Sequence, residues 1–270
     1  MSDLRLNGPI GVIGQGRVGC ALATTLARQG FQVQVNDHRP LKIPGGLNLH
    51  ETELERLAAT SRCIVLTVQD DSIHSLVTRL ENMDHSPLEL LIICSGSTTL
   101  ESLSGFGGVS IAKLHPLFSF SQREYTPFVP GIPWAIQADP SWEEPLIKLV
   151  ESWDGLPHIL QKDQWKSYHL AAVVASNFLP VLIRAGIELM QVTGRDASDC
   201  STWLEPLVLQ SVRNGLNLER QRPYSGPASR GDLQIMQEQI AQLEFSDPEL
   251  AKAYRALSAI IMQHNPPASN

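Results

Sequence analysis

A glycine-rich segment near the start of the chain most constrains what it can fold into. The apolar run 9–13 leads into Gly14-Gln15-Gly16-Arg17-Val18-Gly19, and a helical pattern follows over residues 18–28. Gly14 would permit a tight turn, Gly16 close approach of a pyrophosphate, and Gly19 close packing of helix on strand. Free N–H groups at the helix N-terminus would hold the anion. The segment therefore predicts a dinucleotide-binding strand, turn and helix.

An acidic residue follows the second predicted strand, residues 31–35. Asp37 can accept hydrogen bonds from adenosine ribose hydroxyls, and its charge would repel a ribose phosphate, which favours NAD. Arg39 could hold that phosphate instead, so NADP stays open and the sequence leans only weakly to NAD. The predicted cofactor-binding residues are Gly14, Gln15, Gly16, Arg17, Val18, Gly19, Asp37 and Arg39.

Strand and helix patterns alternate through the first part of the chain and then give way to helices alone. Strands are predicted at 9–13, 31–35, 62–68, 89–94, 109–114, 134–138 and 158–160, with helices at 18–28, 51–60, 70–82 and 141–153. From there the pattern is helical, over 164–192, 201–218, 232–245 and 248–264. We expect the first of these helices to be interrupted or bent near Pro180.

This succession predicts an α/β fold, a doubly wound (Rossmann) parallel sheet followed by an all-α C-terminal domain. Residues 1–160 would form the dinucleotide-binding domain, 161–264 a helical substrate and dimerisation domain, and 265–270 a disordered tail. Methyltransferases that bind S-adenosylmethionine also use a glycine-rich turn followed by an acid. They do not need a strand-free helical domain of ~100 residues, so we rank them lower.

Charge and cysteine content argue against several other classes of protein. The formal net charge is −7 and the basic residues are scattered, so we expect no nucleic-acid partner and no anionic membrane surface. The four cysteines show no spacing typical of a metal site, and we expect reduced thiols and no bound metal. The N-terminus lacks the pattern of a signal peptide and the apolar stretch at 170–183 is too short to span a bilayer, so we expect a cytoplasmic protein.

Several motifs resemble a bacterial family of Rossmann-like oxidoreductases that has a helical C-terminal domain and a poorly defined function. They are Gly-Gln-Gly-Arg-Val-Gly, Ser95-Gly96, the segment 114–120 with its His-Pro pair, the segments 168–172 and 175–177, and the segment 225–232. The family is similar in layout to ketopantoate reductases, hydroxyisobutyrate dehydrogenases and pyrroline-carboxylate reductases. The resemblance implies NAD(P)H-dependent reduction of a small 2-oxo acid, with ketopantoate, an intermediate of pantothenate biosynthesis, as the leading candidate.

The chain departs from those better-known enzymes at one position. They carry a lysine, the usual proton donor, about one turn before an asparagine on the first long helix. Asn177 matches the asparagine, but Val173 occupies the lysine position. His169 is predicted on the same helix face as both, so it is our first candidate acid, with Asn177 orienting substrate or nicotinamide. His169 could equally be a satisfied core residue.

Three further residues are candidates for the catalytic region. His115 is predicted at a strand end, the edge where ligands bind in open α/β sheets, and could act near the nicotinamide or merely bond the turn backbone. Ser95, also after a strand, is a candidate substrate-binding residue. Arg230 could grip a substrate carboxylate, or could pair with Asp232, which we interpret mainly as a helix N-cap.

Two alternatives to a 2-oxo acid reductase remain open at this point. The His115-Pro116 pair is also found in prephenate dehydrogenases, so an imine reductase or a prephenate-type dehydrogenase is the second hypothesis. A dinucleotide-binding sensor without turnover is the third, because the usual lysine is missing. In each case we expect a small-molecule carboxylate ligand and a homodimer that buries the apolar helix beginning near residue 164.

Overall fold

An eight-stranded sheet forms the framework of the N-terminal part of the chain. The computed structural model describes residues 8–103, 106–219 and 223–264. The chain divides into two compact units, one running to Ala175 and the other from Ser176. The strands of the first unit are β1 (Ile10–Ile13), β2 (Val33–Asn36), β3 (Leu49–Glu51), β4 (Cys63–Leu66), β5 (Leu90–Ile93), β6 (Ser110–Pro116), β7 (Pro133–Gln137) and β8 (Leu156–Ile159).

The strand order is β3-β2-β1-β4-β5-β6-β7-β8, and the first six strands of that row are parallel. This is the doubly wound order in which the chain starts at the centre and builds outward in both directions. The predicted fold class, a Rossmann sheet followed by helices, is confirmed. β3 and β8 lie at the two edges of the sheet.

Helices cover both faces of this sheet. Those of the first unit are α1 (Arg17–Arg28), α2 (Leu54–Thr60), α3 (Asp70–Glu81), α4 (Pro140–Ser152) and α5 (Trp165–Ser176), with short 3₁₀ turns at Leu100–Leu103 and Lys162–Gln164. Alternate residues of β4 enter different apolar layers, since Cys63 and Val65 belong to one buried cluster and Ile64 and Leu66 to the other. A strand buried on both faces explains the continuous apolar runs in the sequence.

Two strands differ from the sequence prediction. β3 was not expected, because a three-residue strand with one buried side chain has almost no alternating pattern. The helix predicted over 51–60 begins only at Leu54, since β3 occupies the first residue of that range. β7 pairs antiparallel with β6, whereas we predicted an all-parallel sheet. The connection between them, residues 117–132, contains no helix, whereas a crossover between parallel strands usually does.

The change from mixed structure to helices occurs near residue 160, as predicted, but the first compact unit continues through α5. Trp165 packs in a small buried cluster with Ala135 and Leu160, and Tyr168 lies against it. These contacts tie α5 to the sheet. The boundary between the units therefore falls at Ala175 and Ser176, later than the predicted boundary at 160.

The second unit is helical throughout its described residues. It contains α6 (Leu179–Met190), α7 (Ala197–Leu216), α8 (Pro227–Arg230), α9 (Leu233–Ser246) and α10 (Pro248–His264), with a 3₁₀ turn at Gln191–Thr193. The helix predicted over 164–192 is two helices, and the break comes just before Pro180, as expected. The predicted tail at 265–270 lies outside the described residues.

One helical stretch, Lys162–Thr193, is long and apolar enough to cross a membrane by length and composition alone, among the residues that the structure describes.

Cys20, Cys63 and Cys200 are buried free thiols, and Cys94 is partly buried. Burial raises the pKa of the Cys94 thiol to about 12, so it remains protonated at neutral pH.

Candidate functional site

The glycine-rich turn between β1 and α1 has the geometry that the sequence predicts. Gly14 has φ +94°, a conformation that L side chains rarely adopt. A Cβ at Gly19 would lie 1.9 Å from the carbonyl oxygen of Gly14, so only glycine lets the helix start so close to the turn. A Cβ at Gly16 would meet no described atom within 4 Å. The space beside Gly16 is therefore open, which fits close approach of a ligand.

The N-terminus of α1 is open to an anion. Gly16 is its N-cap residue and offers no side-chain cap, and no acidic residue lies in the first turn. The first N–H groups of a helix have no partner within the helix, and the helix dipole favours negative charge there. A pyrophosphate fits this position without any positively charged side chain being required.

Asp37 is the electrostatic centre of the region beside the turn. Its carboxylate is 1% exposed and accepts hydrogen bonds from the Gln15 backbone N–H at 2.6 Å and from the Arg39 backbone N–H and Nε at 2.9 and 3.0 Å. Burial alone would raise the pKa of Asp37, but these hydrogen bonds outweigh it and lower the pKa to about 2. The carboxylate is therefore ionised and already well supplied with donors.

A cavity of about 770 Å³ opens over the turn and Asp37. We call it the dinucleotide cavity; Gly14, Gly16 and Thr67 form part of its wall. Among the described residues, the wall of this cavity carries four arginines and one carboxylate. They are Arg17, Arg39, Arg79, Arg123 and Asp37. A glycine cradle, a helix N-terminus and an excess of guanidinium groups fit a phosphorylated dinucleotide.

Arg123 in this wall was not predicted from the sequence. Its Nε donates to the Gln15 carbonyl, and its Nη2 lies 3.9 Å from Asp37 Oδ2. It belongs to the irregular connection between β6 and β7, far from the turn in sequence. No local pattern marks such a residue, because its position depends on the path of a long loop.

A second cavity, of about 910 Å³, lies beside the ends of β5 and β6. We call it the apolar cavity; it is lined by Gly96, Ser97, Thr99, Leu100, Glu101, Lys113, Gln137, Gln161, Lys162, Asp163, Trp165, Lys166, His169, Leu170 and Val173. All of these residues belong to the first unit. The size suits a small organic ligand, for which pockets of ~300–1,000 Å³ are typical.

His115 and His169, both predicted as catalytic, come together beside Gly96. Their ring centroids are 6.3 Å apart. A Cβ at Gly96 would lie 2.3 Å from His169 Nδ1 and 3.2 Å from His115 Nε2. The absence of a side chain at Gly96 thus lets the loop after β5 lie close to both imidazoles. His169 Nδ1 is buried and has no hydrogen-bond partner among the described residues.

His115 is held by Tyr168, whose hydroxyl lies 3.0 Å from His115 Nδ1. Burial, helped by the charges of His169 and Lys113, lowers the pKa of His115 to about 4. Burial raises the pKa of Tyr168 to about 12. At neutral pH His115 is therefore an uncharged imidazole and Tyr168 an uncharged phenol.

Lys113 was missed in the sequence and is the most unusual side chain of the apolar cavity. It is 1% exposed, and its Nζ donates to the Thr98 carbonyl at 2.8 Å and lies 3.8 Å from the Trp165 ring centroid. Lys113 and His115 are two residues apart on β6, so their side chains lie on the same face of the sheet. A lysine inside a predicted strand is ordinarily taken as solvated, so no sequence signal distinguished it.

The other predicted site residues occupy less direct positions. The Ser95 hydroxyl bonds with the Ser97 and Thr98 backbone N–H groups and so shapes the loop after β5. Arg230 pairs with Asp232 at 2.8 Å, the alternative noted from the sequence. Asn177 and Arg230 belong to the second unit, whereas Val173, at the position of the usual lysine, lines the apolar cavity.

A hydrogen bond joins the walls of the two cavities. Ser97, which lines the apolar cavity, donates through its hydroxyl to Asp70, the first residue of α3. The neighbouring Gln69 and Ser72 line the dinucleotide cavity. The two cavities therefore open at the same end of β4 and β5, the carboxyl end where doubly wound sheets bind ligands.

Two family models match the chain. Residues 9–87 match the NAD-binding domain of 3-hydroxyacyl-CoA dehydrogenase, and residues 132–261 match DUF2520, a domain of unknown function. The first match covers the glycine-rich turn and Asp37, and the second begins just before β7 and includes α5 to α9. No curated protein sequence matches the chain.

Solved structures similar to the chain extend over nearly its whole length. A candidate NADP oxidoreductase from Bacteroides fragilis shares 22% identity and has a TM-score of 0.73, covering 95% of this chain and 98% of its own. Pyrroline carboxylate reductase from Plasmodium falciparum with NADP bound shares 14%, with a TM-score of 0.61 and coverage of 95% and 98%. Arogenate dehydrogenase from Synechocystis shares 17%, with a TM-score of 0.52 and coverage of 95% and 99%.

At these identities the structural likenesses show the fold, and the family model shows the NAD-binding domain. Both agree with the glycine-rich turn, the ionised Asp37 and the arginine-lined cavity described above. The prediction of NAD or NADP as the cofactor is supported in that general form. The chain thus has a Rossmann-like fold, with an N-terminal region that matches an NAD-binding domain and a helical C-terminal region that matches DUF2520.

Proposed function

We propose that this protein uses NAD(P)H to reduce a small 2-oxo acid, with ketopantoate as the first substrate to test. The observation that supports this most is the hydrogen bond from Ser97, in the wall of the apolar cavity, to Asp70, the neighbour of Gln69 in the wall of the dinucleotide cavity. One cavity suits a phosphorylated dinucleotide and the other a small organic ligand. Hydride transfer requires that a nicotinamide and a substrate carbonyl meet at one place.

The apolar cavity suits a branched carboxylate in its chemistry. Leu170 and Val173 offer apolar surface for an alkyl group, while Lys166 offers an ammonium group to a carboxylate. Arg230, the carboxylate anchor expected from the sequence, is occupied by Asp232. We therefore assign the anchoring role to Lys166 in the first instance. His169, on the same helix, would contact the substrate or nicotinamide.

The charge of the dinucleotide cavity supports NADP over the NAD preference suggested by Asp37. The Asp37 carboxylate is already bonded by Gln15 and Arg39 and is paired at longer range with Arg123. Four arginines therefore face one carboxylate that is already compensated. An added ribose phosphate would meet an excess of guanidinium groups, which bind phosphate in bidentate fashion.

The test measures the oxidation of NADH and of NADPH by ketopantoate and other 2-oxo acids, through the absorbance of the reduced nicotinamide. We expect turnover, with a lower KM for NADPH than for NADH. In Lys166→Met we expect the KM for the 2-oxo acid to rise. In Arg39→Ala we expect the KM for NADPH to rise about 10-fold or more while that for NADH changes little. Lys42→Met, outside both cavities, is the control. Failure of every 2-oxo acid to oxidise either cofactor would refute the proposal.

Cyclic imines are the second substrate class, supported by the fold likeness to pyrroline carboxylate reductases. The same assay with a cyclic imine carboxylate separates the two classes. A neutral His115 could accept a hydroxyl proton in the oxidative direction, which a prephenate-type dehydrogenase would need. Oxidation of an added hydroxy acid tests that direction. Tight cofactor binding with no turnover in any assay would support the sensor hypothesis instead.

The helical unit supports the homodimer expected from the sequence. Val181 on α6 and Leu207 on α7 are 63% and 64% exposed, and Trp203 is 60% exposed. Large apolar patches are rarely left to solvent, and C₂ dimers are the commonest way to cover them. We propose that a second copy of this chain covers these helices, in a cytoplasmic protein.

A further inference from the structure

Lys113 is a buried cation that the proposed chemistry has not yet used. Its Nζ donates to the carbonyls of Thr98 and Gly96, at 2.8 and 3.4 Å, and lies over the ring of Trp165. Within residues 8–103, 106–219 and 223–264 it forms no ion pair with a carboxylate. Its Nζ is therefore held by two carbonyl dipoles and an aromatic face on the wall of the apolar cavity.

A buried ammonium group without a counter-ion is costly unless a ligand supplies negative charge. The nearby acids are otherwise engaged, since Glu101 pairs with Lys162 and Asp70 accepts from Ser97. Burial lowers the pKa of Lys113 to about 8, against the opposing charges of Asp70 and Glu101. The group is largely protonated at neutral pH and gives up its proton more readily than an ordinary lysine.

Two other titratable groups beside it, His115 and Tyr168, are poorer acids at neutral pH. His115, on the same face of β6, is uncharged because its pKa is about 4. Tyr168 has a pKa of about 12 and is bonded to His115. The Nδ1 of His169 is buried against Gly96, and Val173 stands where the resemblance would place a lysine. Lys113 approaches the cavity from β6, whereas that lysine would come from α5.

We propose that Lys113 is the proton donor of the reductase, replacing the helix lysine that this chain lacks. The inference rests on the proposed function. Hydride adds to the carbonyl carbon of the 2-oxo acid, and the π electron pair of the C=O bond moves to oxygen. That oxygen takes a proton from Nζ, which leaves a hydroxy acid and a neutral amine. Solvent then returns a proton to the amine.

The first arm of the test compares Lys113→Met and Lys113→Arg with the native protein. Methionine keeps the apolar stem, and arginine keeps the charge but has a pKa too high to donate a proton. Both variants should lose about 10²–10⁴-fold in kcat. In the native protein we expect kcat/KM to fall above pH 8, and this fall should be absent from both variants. Cofactor affinity and far-UV circular dichroism should match those of the native protein and of the exposed control Lys148→Met.

The second arm needs no turnover. Because Nζ lies 3.8 Å from the Trp165 ring, loss of its proton should change the fluorescence of that indole. We expect a fluorescence transition near pH 8 that is absent in both Lys113→Met and Trp165→Phe. Methylammonium added to Lys113→Ala should restore part of the lost kcat, which a purely structural lysine would not allow.

The outcomes separate the two proposals. Suppose that the native protein reduces 2-oxo acids and that Lys113→Arg keeps the native kcat and the native fall in kcat/KM above pH 8. Lys113 is then not the proton donor, although the proposed function stands. If the native protein turns over no substrate while the fluorescence transition is present, the proposed function fails and the donor role fails with it. Loss of kcat with recovery by methylammonium would establish the inference.

Discussion

Gly96 lies against the two histidines that the sequence predicts to be catalytic. An added Cβ at this position would lie 2.3 Å from His169 Nδ1 and 3.2 Å from His115 Nε2. We predict that Gly96→Ala lowers kcat at least 10-fold, because either the loop after β5 or the His169 ring must move. Steady-state kinetics with the best substrate measures this effect.

Gly45→Ala is the matched control for that substitution. A Cβ at position 45 would meet no described atom within 4 Å, so kcat should stay within experimental error of the native value. Equal losses in both variants would mean that the contact of Gly96 with the imidazoles is unimportant. A loss confined to Gly96→Ala would support the close packing of the two histidines.

Asp37 is expected to stabilise the folded protein as well as to line the cofactor cavity. Its folded-state pKa of about 2 lies below the ordinary 3.8, so its contribution is complete above about pH 4 and is lost as pH falls towards 2. Asp37→Asn should lower the free energy of unfolding at pH 7 by about 2 kcal/mol. Urea unfolding measures it. A difference between the two proteins that stays constant down to pH 2 would contradict the assignment.

At the scale of single residues, those fixed by local geometry were predictable and those fixed by the tertiary path were not. Gly14 and Gly19 follow from a turn that only glycine can form, and Asp37 from the end of the second strand. Lys113 and Arg123 depend on which strands pair and where a long loop runs. The sequence shows the missing lysine at Val173, but it cannot show which side chain takes its place.

Helices α7 and α9 of the second unit differ in how their N-termini are capped. The Asp196 side chain accepts from the Asp199 N–H at 2.8 Å and caps α7. Asp232 is the N-cap residue of α9, but its carboxylate binds Arg230 instead of a helix N–H. We predict that Asp196→Ala lowers the free energy of unfolding by ~1 kcal/mol.

Asp232→Ala serves as the comparison in the same chemical denaturation experiment. It removes an exposed ion pair, and such pairs contribute ~0–1 kcal/mol. We therefore expect a smaller loss than in Asp196→Ala. The reverse order would mean that the ion pair, and not the helix cap, is the stabilising contact in this part of the second unit.

Long elements with a clear period were predictable, and short or tertiary-determined ones were not. α10 (Pro248–His264) matches its predicted bounds, and the break before Pro180 follows from the ring of proline. β3 and α8 are too short to show a period. The antiparallel direction of β7 agrees with the connection before it, residues 117–132, which has no helical pattern and contains no helix.

For the whole molecule, the exposed apolar side chains of α6 and α7 predict self-association. Val181→Arg should shift the protein from dimer to monomer, because it places a charge in the middle of the proposed interface. Sedimentation velocity measures this change. Val129→Arg, at a position in the first unit that is 53% exposed against 63% for Val181, should leave the dimer intact.

A native protein that sediments as a monomer would overturn the dimer proposal. Co-sedimentation with lipid vesicles, lost in Val181→Arg, would instead indicate that the helical stretch Lys162–Thr193 contacts a membrane. The dimer proposal expects no vesicle binding. The sequence predicted an uncovered apolar helix, but the identity of its cover depends on surfaces that no local pattern specifies.

The two ends of the sheet carry a consequence for how this protein behaves at high concentration. β3 is short, and its His50 and Glu51 side chains are exposed, while β8 carries Pro157, which has no N–H to offer a neighbouring chain. Neither edge is therefore a good template for a strand from another molecule. We therefore expect copies of this chain to associate through surfaces other than the edges of the sheet.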